Sequence, residues 1–478
     1  MHPKWTLFLP AEASVASNGA DALAIGYAGR RLMLRHLPPA VRAGLEQLAY
    51  PGTTLERLAA RLPGFAVADV CALFVHHAQW LRFRGVLRAG VQTGDQRLAT
   101  LEPTSAWFAP VREVDDTYQY VLSRFAYLRR AGAELVLETP RCAARVILHD
   151  PRVAALIRAL ATPATGAGLR QRVPEFPADA LPPVIALLCS AEILSPVGAD
   201  GAIAEDEHPQ LRSWEFHDLL YHARSREGRH DAPVGNTYRM AGILPPPPPL
   251  KPVHAATTIP LLQPDPNELA ARDPPFAQVM ERRRSVREYG AVPLTAAQLG
   301  EFLYSVAAVR DRLQYDAYTP AGVIPLDATV RTYPSGGAFY PLEIYPVVQA
   351  CAGLDSGLYH YDPGGHRLER LTPDQRFVQG LIEHAAAAAG LSGSAVQILL
   401  VITARFQRVA WKYESLAYSL ILKDLGGLMQ SMYLAATAMG LAPCALGAGD
   451  SDLFAQAAGI DYYAEGSVGE FLLGSRAG

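Results

Sequence analysis

The chain has 478 residues, half of them hydrophobic, enough for two or three packed cores rather than one. Its 43 basic and 46 acidic side chains leave a formal net charge of −3, which excludes a general binder of nucleic acid or anionic membrane and makes any anion site local. Five cysteines without C-x-x-C spacing fit neither a disulfide framework nor a zinc ribbon, no run reaches the roughly 18 apolar residues of a membrane span, and the first thirty residues lack a signal-peptide pattern, so a cytoplasmic protein is expected.

The N-terminal half carries one pattern twice. In residues 1–100 the strand-like Leu32-Met33-Leu34 precedes apolar helical periods at Leu45 and Leu48, at Leu55, Leu58 and Leu62, and at Leu73, Phe74, Trp80 and Leu81, closing on Phe83-Arg84-Gly85-Val86-Leu87. In residues 101–213 Leu135-Val136-Leu137 and Val146-Ile147-Leu148 precede Val153, Leu156, Ile157 and Leu160, then Leu169 to Val173, then Val184 to Leu188, ending at Ile193-Leu194. Three short helices followed by strands predict a winged-helix-like module, so two such domains are expected. Neither copy has a lysine-rich recognition helix, which favours peptide or partner binding over DNA, with a purely structural lid as the alternative. Residues 214–274 read as a docking linker, beginning at Trp214-Glu215-Phe216-His217-Asp218 and containing the five consecutive prolines Pro245–Pro249.

Residues 275–478 alternate in type and predict an α+β sheet domain without repeating βαβ units. Thr295–Val309 has helical spacing, Thr329–Tyr333 and Leu342–Val348 are strand-like, and Asp362-Pro363-Gly364-Gly365 marks a hairpin between Gly357–Tyr361 and His366–Leu371. Ala395–Thr403 and Gly469–Leu473 read as buried strands. The long small-residue helix pattern from Leu416 to Leu441 is apolar almost all round and is expected to be buried, inside the domain or at a dimer seam.

Three local patterns could carry chemistry. If Arg282–Arg287 lies at a helix end, Arg283 and Arg287 share a face, and a bound anion relieves their repulsion; Ser285 adds a hydroxyl donor, whereas pairing with Glu281 and Glu288 would make the cluster a solvated face. Ser335-Gly336-Gly337 lets the backbone approach a planar ring, or is an ordinary turn; Gly447-Ala448-Gly449 offers a second such stretch. Lys412 and Tyr413 adjoin in sequence and share a pocket only at a turn or helix start; there the ammonium would lower the phenol from its usual ~10. The alternative is an exposed lysine beside a core tyrosine. His76-His77 lacks partners at ligand spacing and no H-E-x-x-H or P-loop occurs, so no metal is expected.

In combination, Arg283-Arg284-Ser285-Val286-Arg287, Pro334-Ser335-Gly336-Gly337-Ala338-Phe339-Tyr340-Pro341-Leu342-Glu343, Gly357-Leu358-Tyr359-His360-Tyr361 and Lys412-Tyr413 occur in a known order. The chain from about Pro275 to Arg476 resembles the FMN-dependent nitroreductase-like fold, and specifically the SagB/ThcOx-type peptide dehydrogenases of thiazole- and oxazole-forming clusters. The resemblance implies that Arg283, Ser285 and Arg287 hold the FMN phosphate and ribityl, that Ser335, Gly336, Gly337, Gly447, Ala448 and Gly449 line the flavin, that Arg476 is the C-terminal phosphate contact, and that Lys412 and Tyr413 are catalytic. It further implies a homodimer, a precursor-peptide substrate, a cyclodehydratase partner, and oxidation of thiazolines or oxazolines to thiazoles or oxazoles, with a proton passing to Tyr413 and a hydride to flavin. The sequence departs from many relatives at Glu414-Ser415-Leu416-Ala417-Tyr418-Ser419, where they carry arginines, and at Gly426-Gly427, where they carry Gly-His. An NAD(P)H-dependent nitroreductase or quinone reductase, and a non-catalytic precursor-peptide scaffold, are the rival readings.

Overall fold

The structure is a computed structural model and describes residues 2, 4–110, 114, 117–252, 257–372 and 374–477. It divides into two compact units, Met1–Ala232 and Pro233–Gly478.

In the N-terminal unit the repeated element order is present. The helices Pro39–Glu46, Leu55–Arg61 and Ala68–Phe83 form one trio, and Pro151–Ala159, Gly166–Arg172 and Leu181–Ser190 the other. Side-chain caps start three of them: Thr54 accepts from Arg57 N, Asp150 from Arg152 N and Thr165 from Gly168 N. The expected boundary between residues 100 and 101 does not hold, because it cuts the strand Gln96–Pro103, whose middle residues are buried. That strand pairs with Ala144–Leu148 of the second repeat, Leu101 opposite Val146, inside a six-stranded sheet. Leu45, Phe74 and Leu81 from the first repeat share one apolar core with Leu156, Val184 and Leu187 from the second. Exposing that strand to separate the repeats would return its buried side chains to water, so the two copies form one unit.

The expected linker over 214–274 is likewise corrected. Its first part belongs to the N-terminal unit, where the helix Phe216–Arg224 buries Leu219 and Ala223 and Arg124 donates to the carbonyls of Leu211 and Trp214 at 2.6 and 2.9 Å. From Pro233 onward the chain is bound to the C-terminal unit. Prolines offer no N–H, but their carbonyls still accept: Arg405 Nη2 reaches Pro248 O at 2.9 Å and Arg408 reaches Pro247 O. Trp411 Nε1 donates to Leu244 O at 2.8 Å, and Thr258–Pro260 adds an edge strand.

That unit is α+β. Seven antiparallel strands stand in the order Thr258–Pro260, Arg367–Thr372, Gly357–Asp362, Leu342–Val348, Ile398–Arg405, Glu465–Gly474, Ala442–Leu446. The helices Ala296–Ala307 and Ala417–Ala438 pack on one face, and Gln375–Ala389 and Ser451–Ala458 on the other. Covering both faces explains why every residue of Leu342–Val348 is buried, Glu343 included, rather than every second one. Asp311–Thr319 and Gly322–Val330 form a separate hairpin, so the expected strand at Thr329–Tyr333 is the end of its second arm. The long helix is buried on one side only: Ile421, Leu425, Leu428, Met432 and Ala436 face the core, while Lys423, Gly426 and Gln430 are exposed.

Candidate active site

The arginine segment does not lie on a helix face. The helix Phe276–Arg282 stops before it, and Arg283 already has extended backbone angles (φ −56°, ψ 121°), so Arg283 and Arg287 are not stacked one turn apart. The segment runs beside the strand Ala442–Leu446, with Val286 N donating to Pro443 O at 2.8 Å. Ser285 Oγ lies 2.7 Å from Tyr433 Oη, which also accepts the Ala445 N–H at 2.8 Å, and the Arg283 guanidinium stands 5.3 Å over the Tyr433 ring. Among the described residues no ion pair joins Arg282, Arg283, Arg284 or Arg287 to any carboxylate, Glu281 and Glu288 included. Arg476 is exposed and its backbone bridges to Tyr289, which brings it beside this segment. The same strand leads into Gly447, Ala448 and Gly449, all exposed; a Cβ on Gly447 would meet nothing within 4 Å, while one on Gly449 would overlap the Glu470 carboxylate.

Lys412 and Tyr413 occupy the passage from the short helix Phe406–Ala410 into Tyr413–Glu414, which pairs with Gly235–Asn236. This break in regular structure is what lets sequence neighbours point into one space. Both converge on the glycine turn. A Cβ on Gly337 would stand 2.5 Å from Tyr413 Oη and 3.0 Å from Lys412 Nζ, and Gly337 takes φ +63°, where an L side chain is disfavoured.

Lys412 is only 8% exposed, and its Nζ lies 5.4, 5.0 and 5.2 Å from the rings of Tyr238, Phe339 and Tyr413. Ring faces offer an ammonium roughly 0.5–2 kcal/mol each, less than the water they replace. Burial accordingly lowers the proton affinity of Lys412. Tyr413 moves the other way, raised by burial and then by Tyr238 and Asp424. The expected lowering of the phenol by its lysine neighbour is not found: removal from water, Tyr238 and Asp424 all raise it.

Sequence reasoning missed the two groups that hold the turn. Asp424, buried on the long helix, accepts Ser335 Oγ at 2.6 Å and Gly336 N at 3.0 Å. Burial raises its carboxyl, and these two hydrogen bonds oppose the rise. Arg408, also buried, donates to Phe339 O from Nε and Nη2 at 3.0 and 2.9 Å, and burial pulls its guanidinium down to about 10. No local sequence pattern marks either: Lys423 adjoins Asp424, and Arg405 and Gln407 precede Arg408. The Ser335 hydroxyl accepts Tyr340 N at 2.9 Å as well as donating to Asp424, so it serves the turn itself.

These features fit a flavin mononucleotide. Among the described residues the arginine segment presents guanidiniums without carboxylate partners, Gly447 presents backbone to open space, and the exposed Gly337 has the Lys412 amine and the Tyr413 phenol against it. Among the described residues no group of His, Cys, Asp and Glu is arranged to hold a metal, and no helix is long and apolar enough to cross a membrane.

Residues 280–474 match the nitroreductase family model, and residues 120–231 match the model described as cyanobactin oxidase ThcOx. A candidate nitroreductase of Methanocaldococcus jannaschii is 30% identical over 194 residues, 40% of this chain and 85% of that protein. The chain belongs to the nitroreductase family. Within it, the chain is of the SagB/ThcOx type, as its motifs and the second family match agree. The trifolitoxin-processing protein TfxB of Rhizobium leguminosarum bv. trifolii is 32% identical over 113 residues, 23% of this chain and 30% of that protein, so the match spans under a third of that relative. Among solved structures, the microcin synthetase McbBCD complex of E. coli with truncated pro-MccB17 bound is matched with TM-score 0.33 and 20% identity, over 41% of this chain and 70% of that one.

Proposed function

We propose that the protein is an FMN-dependent dehydrogenase that oxidises thiazoline or oxazoline rings of a ribosomally made peptide to thiazoles or oxazoles. The observation that carries this reading is the convergence of Lys412 Nζ and Tyr413 Oη on Gly337, at the mouth of a backbone cradle suited to a flat ring. Arg283, Ser285, Arg287 and Arg476 would hold the phosphate end, and Gly336, Gly337 and the Gly447–Gly449 loop would border the ring system. Bound flavin would supply the two-electron acceptor for the hydride.

The chain's own residues manage the proton. Aromatising an azoline removes one hydride and one proton, and the proton needs an acceptor within reach of the ring. The shifts at the site support Lys412 Nζ as that acceptor and Tyr413 Oη as a neutral hydrogen-bond donor to the substrate ring, a reversal of the roles expected from sequence. The aromatic surround of Tyr238, Phe339 and Tyr413 keeps water from the amine.

We read the two N-terminal helix trios as winged-helix-like repeats that bind the precursor peptide or a cyclodehydratase partner; the ThcOx match over 120–231 and the name of the trifolitoxin-processing relative support this. A homodimer is also proposed, from the exposed side of the long helix at Gly426, where a Cβ would meet nothing within 4 Å.

Anaerobic titration tests the reaction. An azoline-containing peptide is expected to bleach the yellow absorbance of the purified protein while NADH and NADPH do not. Bleaching by a nicotinamide alone would favour a conventional nitroreductase, and a colourless protein that still binds peptide would favour a scaffold.

A further inference from the structure

We infer that Asp424 is a positioning residue for the Lys412–Tyr413 pair, acting through the glycine turn that it anchors. The inference rests on the azoline-dehydrogenase reading only for what the pair does, not for the physical link.

Asp424 is 5% exposed on the core side of the helix Ala417–Ala438, among Ile421, Leu425 and Leu428. An acid in such a place is unfavourable unless its oxygens find donors, and a leucine would pack there without that demand. Both donors come from consecutive residues of the turn, Ser335 Oγ and Gly336 N, at 2.6 and 3.0 Å. The next residue, Gly337, is the one against which Tyr413 Oη and Lys412 Nζ rest. One peptide unit therefore separates the anchor from the pair. Gly427, three residues along the same helix face, admits the Pro334 ring, which would stand 3.2 Å from a Cβ placed there. The helix thus grips the turn at two adjacent points. Through Ser335 Oγ, which accepts Tyr340 N at 2.9 Å, the grip reaches the turn's far end. The titratable groups that feel Asp424 are Tyr333 and Tyr413, both raised in part by its charge.

The experiment uses the full chain with Asp424→Asn, Asp424→Ala and Ser335→Ala, and 3-fluorotyrosine placed at position 413. Asp424→Asn preserves shape and one acceptor, and circular dichroism establishes that each variant is folded. The fluorine resonance at 413 is expected to shift in Asp424→Asn and to titrate at lower pH than in the parent, because a nearby negative charge is gone. With azoline peptide, kcat is expected to fall on the order of tenfold in Asp424→Asn and up to 10²-fold in Asp424→Ala, with KM within about twofold and flavin content unchanged. Ser335→Ala is expected to fall between them. A folded Asp424→Asn protein with the parent's fluorine shift and titration midpoint would overturn the inference. If the parent oxidises no azoline, the reaction assignment fails, while the fluorine readout still decides whether Asp424 positions the pair.

Discussion

Lys412 is an amine surrounded by three rings, with no carboxylate paired to it among the described residues, and its behaviour sets the acid side of the pH profile. Below its lowered pKa the ammonium has no lone pair to take a proton, so kcat/KM for azoline oxidation is expected to rise with pH through that value. Lys412→Arg keeps the charge but cannot lose a proton in this range; stopped-flow reduction should be abolished in a protein that still carries flavin. Gly337→Ala adds a methyl where Tyr413 Oη and Lys412 Nζ stand and forces an L residue into φ +63°. The expected outcome is a folded protein destabilised by about 1–2 kcal/mol in urea unfolding, with turnover lost far beyond that change. At this scale the sequence was informative where a motif fixes a residue and silent where burial decides. Lys412, Tyr413 and Gly337 were legible, but the direction in which Tyr413 moves was not, because it depends on burial in the folded chain and then on Tyr238, more than 170 positions away. Asp424 and Arg408 carry no local pattern; only the fold reveals that each meets the turn.

The last strand, Glu465–Gly474, places Glu470 under the Gly449 end of the candidate flavin loop. Glu470 is 2% exposed, its Oε2 has no hydrogen-bond partner, and burial, then the nearby Asp450, lifts its carboxyl to about 7. Asp450 in turn caps the helix Ser451–Ala458 and faces His384 at 3.8 Å. Because the folded-state value is raised, protonated Glu470 suits the native fold. This contribution is complete below the unfolded value near 4.5 and is lost as pH rises through about 7. Glu470→Gln should therefore raise the melting temperature at pH 8, by a free energy on the order of 3 kcal/mol, and leave it nearly unchanged at pH 4. A melting temperature at pH 8 equal to the parent's would contradict this. Elements with one strong period were read correctly from sequence: the helix Ala296–Ala307, the hairpin around Asp362–Gly365 and the strand Ile398–Arg405. Of the hairpin arms Asp311–Thr319 and Gly322–Val330 only the end at Thr329–Val330 is legible, because their exposed positions blur the alternation, and the helix leading into the arginine segment ends at Arg282.

At the scale of the whole chain, the duplicated element order was visible in the sequence, but its consequence was not. Sequence periodicity registers helices and strands one at a time, whereas the pairing of Gln96–Pro103 with Ala144–Leu148 that fuses the repeats is a long-range choice. The proline run signalled a boundary, yet the boundary falls at Ala232/Pro233, since Arg405 and Arg408 bind the proline carbonyls into the C-terminal unit. The proposed homodimer makes a prediction here: light scattering should give about twice the 51.6 kDa chain mass, and Gly426→Glu should shift it toward monomer with loss of flavin. A flavin-loaded monomer would contradict it.

The most direct test of the Lys412–Tyr413 assignment is the mass of a heterocyclised peptide after incubation with the flavin-loaded protein. A loss of about two mass units per azoline ring, the two hydrogens removed on aromatisation, is expected with the parent and none with Lys412→Arg or Tyr413→Phe. Equal mass loss by the parent and by both variants, each carrying flavin, would contradict it.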